Sequence, residues 1–115
     1  SLQENAKIHA IVEDVVEASH NGIVSWEIKS NVQPILLQGK DDYEKTKERW
    51  IIFEEYFNEN SIKFKKITSI EGDIISKLVN LIYILDYASI YLAIINKIDP
   101  TPVYAIDYIK NKLNN

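Results

Sequence analysis

The clearest spacing of apolar positions lies between Asp41 and Asn58, where Trp50, Phe53 and Phe57 recur at i, i+3 and i+7 and so share one face of a helix. Asp41 and Asp42 stand just before it and are expected to cap its start. Upstream, Val32 to Gln38 holds the unbroken run Ile35-Leu36-Leu37 between Asn31 and Gly39, the pattern of a strand buried on both faces. Pro34 fits only near the start of such a strand or at an edge. Downstream, Ile62, Phe64 and Ile67 alternate imperfectly with Lys63, Lys65 and Lys66, which predicts a second strand at an edge guarded by lysines. Ile8 to Val12, with His9 on it, is a third and looser strand candidate.

From about Glu71 to Ile98 the chain is apolar almost all round, as in a helix packed on several sides. Asn80, Asp86, Ser89 and Asn96 interrupt it. A charge near the centre of a membrane span costs roughly 2.5 to 3.5 kcal/mol, so a buried helix is expected rather than a spanning one. Asp99-Pro100 is expected to end this helix, because the residue before proline is pushed out of the α region. Thr101 then reads as an N-cap and Pro102 as the first position of a last helix carrying Val103, Ile106, Ile109, Lys110 and Leu113. Strand, helix, strand, helix, helix predicts an α/β layer with parallel strands. Two or three strands make a thin sheet, so the chain is expected either to oligomerise or to lack part of its sheet.

Composition narrows the picture. The 115 residues, 46% hydrophobic, can bury one modest core. No repeat, low-complexity stretch or shift in composition marks a domain boundary, so residues 1–115 read as one unit or a piece of one. A net charge of −4 and a pI near 5.1 offer no basic footprint for nucleic acid or an anionic membrane. The absence of cysteine removes disulfides, thiolate metal sites and thiol nucleophiles, and fits a reducing cytoplasm. Ser1-Leu2-Gln3-Glu4-Asn5 lacks the basic and apolar regions of a signal peptide. With no methionine in the chain, Ser1 reads as a processed end, a cloning scar or a cut through a longer chain.

Three short motifs carry candidate chemistry: Glu4 in Gln3-Glu4-Asn5-Ala6-Lys7, His20 in Ser19-His20-Asn21-Gly22-Ile23-Val24-Ser25-Trp26-Glu27, and Asp99-Pro100-Thr101-Pro102-Val103. Together they resemble the C-terminal part of the bifunctional phosphoglucose/phosphomannose isomerases, two-domain sugar isomerase (SIS) proteins. The resemblance runs in order along nearly all of this chain, through the strand-helix-strand and the helix holding Leu81-Ile82-Tyr83 and Asp86, and covers about the last third of a family chain.

It implies an incomplete SIS-like three-layer sandwich with a parallel sheet, the N-terminal SIS domain being supplied in cis or by a partner. It also implies an aldose–ketose isomerase interconverting glucose 6-phosphate or mannose 6-phosphate with fructose 6-phosphate through an enediol. In such a reaction one group moves a proton between C1 and C2 and a second opens the sugar ring, each contributing about 10² to 10⁴-fold. By resemblance Glu4 is the C1/C2 base and His20 the ring-opening group, sixteen positions apart as in the family. Lys110 and Thr101 are the nearest counterparts of a lysine and a threonine placed at the active site. The resemblance further implies a homodimer in which His20 reaches into the neighbouring subunit's site. No cofactor or metal is called for, since fixed hydrogen-bond donors and a lysine meet the enediol charge.

Two positions depart from the family pattern, Gly22 where a glutamate is usual after His-Asn, and Ser25 where a glycine is usual before Trp26. A phosphate cradle is also missing: Ser69-Ile70-Glu71-Gly72-Asp73 is the nearest approach, and its acids repel phosphate. In the family the N-terminal domain supplies that cradle. Residue by residue, plainer readings stand beside these. Glu4 reads as a terminal acid, His20 as a capping or surface histidine, Thr101 as a helix cap, and Lys110 as a partner of a helix dipole. His9, His20, Glu13 and Asp14 lack the spacing of a zinc motif. The alternative to an enzyme segment is a non-catalytic SIS-like module for dimerisation or sugar-phosphate binding.

Overall fold

A computed structural model describes residues 1–113. The elements run α1 (Leu2–Ala6), α2 (Val15–Ala18), a 3₁₀ turn (Gly22–Glu27), β1 (Ile35–Gln38), α3 (Glu44–Glu59), β2 (Lys65–Thr68), α4 (Ile74–Ile95) and α5 (Tyr104–Leu113). They divide into two compact units, Ser1–Ala10 with the described residues from Ile82 onward, and Ile11–Leu81.

The second unit is a β-α-β crossover. β1 and β2 are parallel, with Ile35 opposite Lys65 and Gln38 opposite Thr68, as the helical connection between them requires. The Lys65 N–H donates to the Pro34 carbonyl (3.0 Å) and the Ser69 N–H to the Gln38 carbonyl (2.9 Å), so the ladder extends past both strand ends. Leu36 faces α3 and is buried with Val15, Phe53 and Phe57. Phe57 is 1% exposed and meets Trp26, Phe53 and Phe64 at centroid distances of 5.4, 5.8 and 5.6 Å, within the range of favourable edge-on and tilted packing. The expected aromatic face of α3 is therefore the floor of this unit. Ile35 and Leu37 point to the other side of the sheet and are exposed there, so β1 is buried on one face and not on both as its apolar run predicts, because no described element covers the outer face.

α3 and α4 end alike, without the glycine that usually serves. Ser61 and Lys97 take the left-handed conformation, φ 56° and 57°. After each, the chain closes a Schellman turn: the Ile62 N–H reaches the Phe57 carbonyl and the Ile98 N–H the Ala93 carbonyl, both at 2.8 Å.

Several expectations need correction. α3 starts at Glu44 after Tyr43, with no side-chain cap; Asp42 instead accepts from the Gly39 N–H (2.9 Å) and the Trp50 indole (3.2 Å), while Asp41 pairs with Lys77 at 3.0 Å. Ile8 to Val12 is not a strand, since Ile11 and Val12, 88% and 90% exposed, lie in a segment that joins no sheet. α4 stops at Ile95, before Asp99-Pro100, because the left-handed turn at Lys97 has already ended it. Thr101 does not cap α5: that helix begins at Tyr104, and the Val103 carbonyl takes the first N–H bonds, from Ile106 and Asp107. α4 is not buried on several sides either, as only Ser89 and Ala93 along its 22 residues are buried. Its apolar character is real, but few of its apolar side chains are covered among the described residues.

Two outcomes are expected. Phe57→Ala removes the ring common to these aromatic contacts and should lower unfolding stability by about 3 to 5 kcal/mol in urea titration; a loss under 1 kcal/mol would show that the cluster does not hold the unit. The carboxyls of Asp41, hydrogen-bonded to Lys77, and Asp73, bonded by the Ser76 N–H, sit below the ordinary 3.8. Groups depressed in this way stabilise above their unfolded value and lose that stability as pH falls through the folded one. The melting temperature should therefore hold down to about pH 5 and drop below about pH 4, with a shallower drop in Asp73→Asn.

Candidate functional site

Glu4 sits on α1, a five-residue helix too short to stand on its own. Three anchors hold it. The Asn5 amide donates to the Ser89 hydroxyl (2.8 Å), which is fully buried and itself donates to the Asp86 carbonyl (2.7 Å). The Ser1 hydroxyl donates to the Asp86 carboxylate, which supplies the partner that a half-buried acid on an apolar helix requires. Ala6 is fully buried. The frayed terminal acid is thus replaced by an acid on a tethered turn, and the Glu4 side chain itself is exposed, with no hydrogen bond or ion pair among the described residues.

Thr101 belongs to the same unit. Its N–H donates to the Asp99 carboxylate (2.9 Å), and that bond, first among its causes, holds the Asp99 carboxyl below the usual aspartate range. Lys7 connects the two places: its ammonium donates to the Glu4 carbonyl (2.6 Å) and to the Pro102 carbonyl (2.7 Å). Lys110 lies exposed in the last turn of α5, also in this unit, where a cation complements the helix dipole.

His20 belongs to the other unit. It follows α2, whose start is capped by Asp14 accepting from the Val16 N–H. The His20 and Asn21 N–H groups both donate to the Glu17 carbonyl at 2.9 Å, and the Asn21 amide donates to the Glu17 carboxylate. This double use of Glu17 fixes the turn while the exposed imidazole makes no hydrogen bond among the described residues. A side chain at Gly22 would run into the Glu13 carboxylate, which occupies that space. Beside this turn a depression of about 260 Å³ is lined by Ser19, Ile23, Arg49, Ile52, Phe53 and Tyr56. A larger one, about 590 Å³, opens near Gln33 and Lys65, at the starts of the strands.

The carboxyl ends of parallel strands are where open α/β sheets bind ligands. In this unit that end is satisfied internally. Lys40 pairs with Glu71, Lys77 with Asp41, the Lys40 N–H donates to the buried Ser69 hydroxyl (3.1 Å), and Asp73 caps α4. The segment Ser69–Asp73 therefore offers no vacant cradle for phosphate. Among the described residues no three His, Asp or Glu side chains converge as metal ligands.

Asn5, Lys7 and Asp99 are supporting residues that residue order does not reveal. All three lie inside the motifs singled out from the sequence, but their roles depend on Ser89, Pro102 and Thr101, between two and 95 positions away.

The family model of the bacterial phospho-glucose isomerase C-terminal SIS domain matches residues 1–113. Among curated proteins, a bifunctional phosphoglucose/phosphomannose isomerase of Caldicellulosiruptor bescii is 32% identical over 114 residues, covering 96% of this chain and 34% of that protein. One of Aquifex aeolicus is 24% identical over 115 residues, covering 97% of this chain and 36% of that protein. The chain thus spans about a third of the length of the curated relatives it matches. No solved structure matches it.

Asn5→Ala should release α1. Hydrogen exchange at the backbone N–H of position 5, which donates to the Ser1 carbonyl at 2.7 Å, is expected to approach that of an open chain, with about 1 kcal/mol of stability lost. Unchanged protection would mean that the Asn5–Ser89 bond is not what tethers Glu4.

Proposed function

Because this chain belongs to the bacterial phospho-glucose isomerase C-terminal SIS domain family, we propose that it supplies the acid–base residues of an aldose–ketose isomerase acting on hexose 6-phosphates. Glucose 6-phosphate or mannose 6-phosphate would be interconverted with fructose 6-phosphate. The observation that carries this reading is the family match across the described chain, together with an exposed Glu4 carboxylate on a tethered turn.

His20 passes a proton at the ring oxygen and O1 as the sugar opens. The Glu4 carboxylate then takes the proton from C2 of the open aldose; the C2–H electrons form the C1=C2 bond of the enediol, and the carbonyl oxygen at C1 takes a proton from solvent. Glu4 returns its proton to C1 while the O2–H proton returns to solvent, and C2 becomes the ketone carbon. Thr101 and Lys110 hold substrate oxygens, Lys110 meeting negative charge as the enediol forms.

The phosphate is held by the N-terminal SIS domain, in cis or from a partner. The internally paired strand ends, which leave no cradle there among the described residues, support that assignment. The two strands belong to a larger parallel sheet of the three-layer SIS type, in a cytoplasmic homodimer. Uncovered apolar side chains on α4, Ile82, Tyr83, Tyr87 and Ile94 among them, and on the outer face of β1 support a larger body.

In a polypeptide carrying both SIS domains, Glu4→Gln should cut kcat about 10² to 10⁴-fold. His20→Gln should slow turnover of ring-closed sugar more than of the open-chain form. Wild-type turnover in Glu4→Gln would remove Glu4 from its role.

A further inference from the structure

Lys7 occupies a position that favours glycine or asparagine. It is the residue after α1 and is left-handed, φ 55° and ψ 34°, a conformation in which a Cβ is crowded. The side chain kept there is fully employed. Its ammonium has three protons and three carbonyl neighbours, Glu4 at 2.6 Å, Pro102 at 2.7 Å and, more weakly, Pro100 at 3.5 Å. A lysine that merely capped α1 would need only the Glu4 carbonyl.

The segment it grips has little other means of fixing itself. Pro100 and Pro102 have no N–H, so the only donor between Asp99 and Val103 is Thr101, which is spent on the Asp99 carboxylate. No other hydrogen bond among the described residues joins 1–10 to 99–103. The Lys7 charge also lies near the Asp99 carboxylate and adds to its depressed pKa.

We propose that Lys7 is a positioning residue whose ammonium, by joining the Glu4 carbonyl to the carbonyls on either side of Thr101, sets the distance between the Glu4 base and the Thr101 loop. This rests on the isomerase reading of Glu4 and Thr101. Lys7 itself exchanges no proton with substrate. It acts through two backbone segments that otherwise have no hydrogen bond in common, and misplacing a catalytic group by about 1 Å costs roughly 10²-fold.

Lys7→Gly separates side chain from backbone, since glycine adopts φ 55° without strain. In a polypeptide with both SIS domains, hydrogen exchange at the Thr101 amide and steady-state kinetics should be measured for Lys7→Gly, Lys7→Arg and Glu4→Gln. Lys7→Gly is expected to speed Thr101 exchange and lower kcat, each by about tenfold or more. The pH profile should keep its shape, and Lys7→Arg should recover much of both losses. Unchanged Thr101 exchange with kcat within about twofold of wild type would overturn the proposal. So would a kcat loss without faster exchange. Failure of the isomerase reading is separate, since it appears as full activity in Glu4→Gln whatever Lys7 does.

Discussion

Two parallel strands of four residues cannot stand without a helix pressed on them, and in this chain the pressure comes from one ring. Phe57 touches the 3₁₀ turn through Trp26, its own helix through Phe53, and the approach to β2 through Phe64. It also helps end α3: its carbonyl receives the Ile62 N–H that closes the Schellman turn, and Ile62 packs back against the core cluster. The crossover returns to the sheet because the residue that fills the core also marks where the helix must stop. His20 benefits indirectly. Its turn lies between Val15 and Trp26, which pack into or against this cluster, so an exposed imidazole hangs from a fixed base.

Glu4 is held by different physics. Among the described residues its unit has few large buried side chains; Ala6, Ser89 and Ala93 are the fully buried positions there, and small residues let a short turn approach a long helix closely. What they lack in apolar area is replaced by directed bonds, Asn5 to Ser89, Ser1 to Asp86, and Lys7 to two carbonyls. A buried hydroxyl that lost its partner would carry a desolvation penalty of about 1 to 3 kcal/mol, which makes such bonds specific about where α1 can sit. The carboxylate is thereby presented by backbone geometry, and its own oxygens are left unengaged.

Much of this was legible from residue order. The aromatic spacing on α3, the apolar run of β1, the lysine-guarded β2 and the need of Asp86 for a partner all follow from local pattern, and each is present. What local pattern missed shares a cause: a side chain chose a distant partner over a nearby one. Asp42, a plausible cap, is drawn to Trp50 and Gly39. Thr101 gives its N–H to Asp99 and caps nothing. Lysine and serine at left-handed turns end α4 and α3 without the glycine signal, so Asp99-Pro100 looked like a stop that the chain had already made. Ile8 to Val12 is mostly apolar and β-branched like a strand, but such a run becomes one only where a sheet edge is waiting.

α4 ties these threads to function. A 22-residue helix reaches about 33 Å, and its buried positions, Ser89 and Ala93, form one narrow stripe. Ser89 is the position that the Glu4 turn engages, through Asn5. Tyr83, Tyr87 and Ile94 remain more than half exposed, and burying a side chain of that size is worth about 1.5 to 3 kcal/mol. The same helix thus carries two kinds of surface: a small polar notch that seats the Glu4 turn, and broad apolar flanks left uncovered among the described residues. Covering those flanks would stiffen the element from which α1 hangs. Covering of α4 and placement of the Glu4 turn are then physically linked, because both act on the same helix.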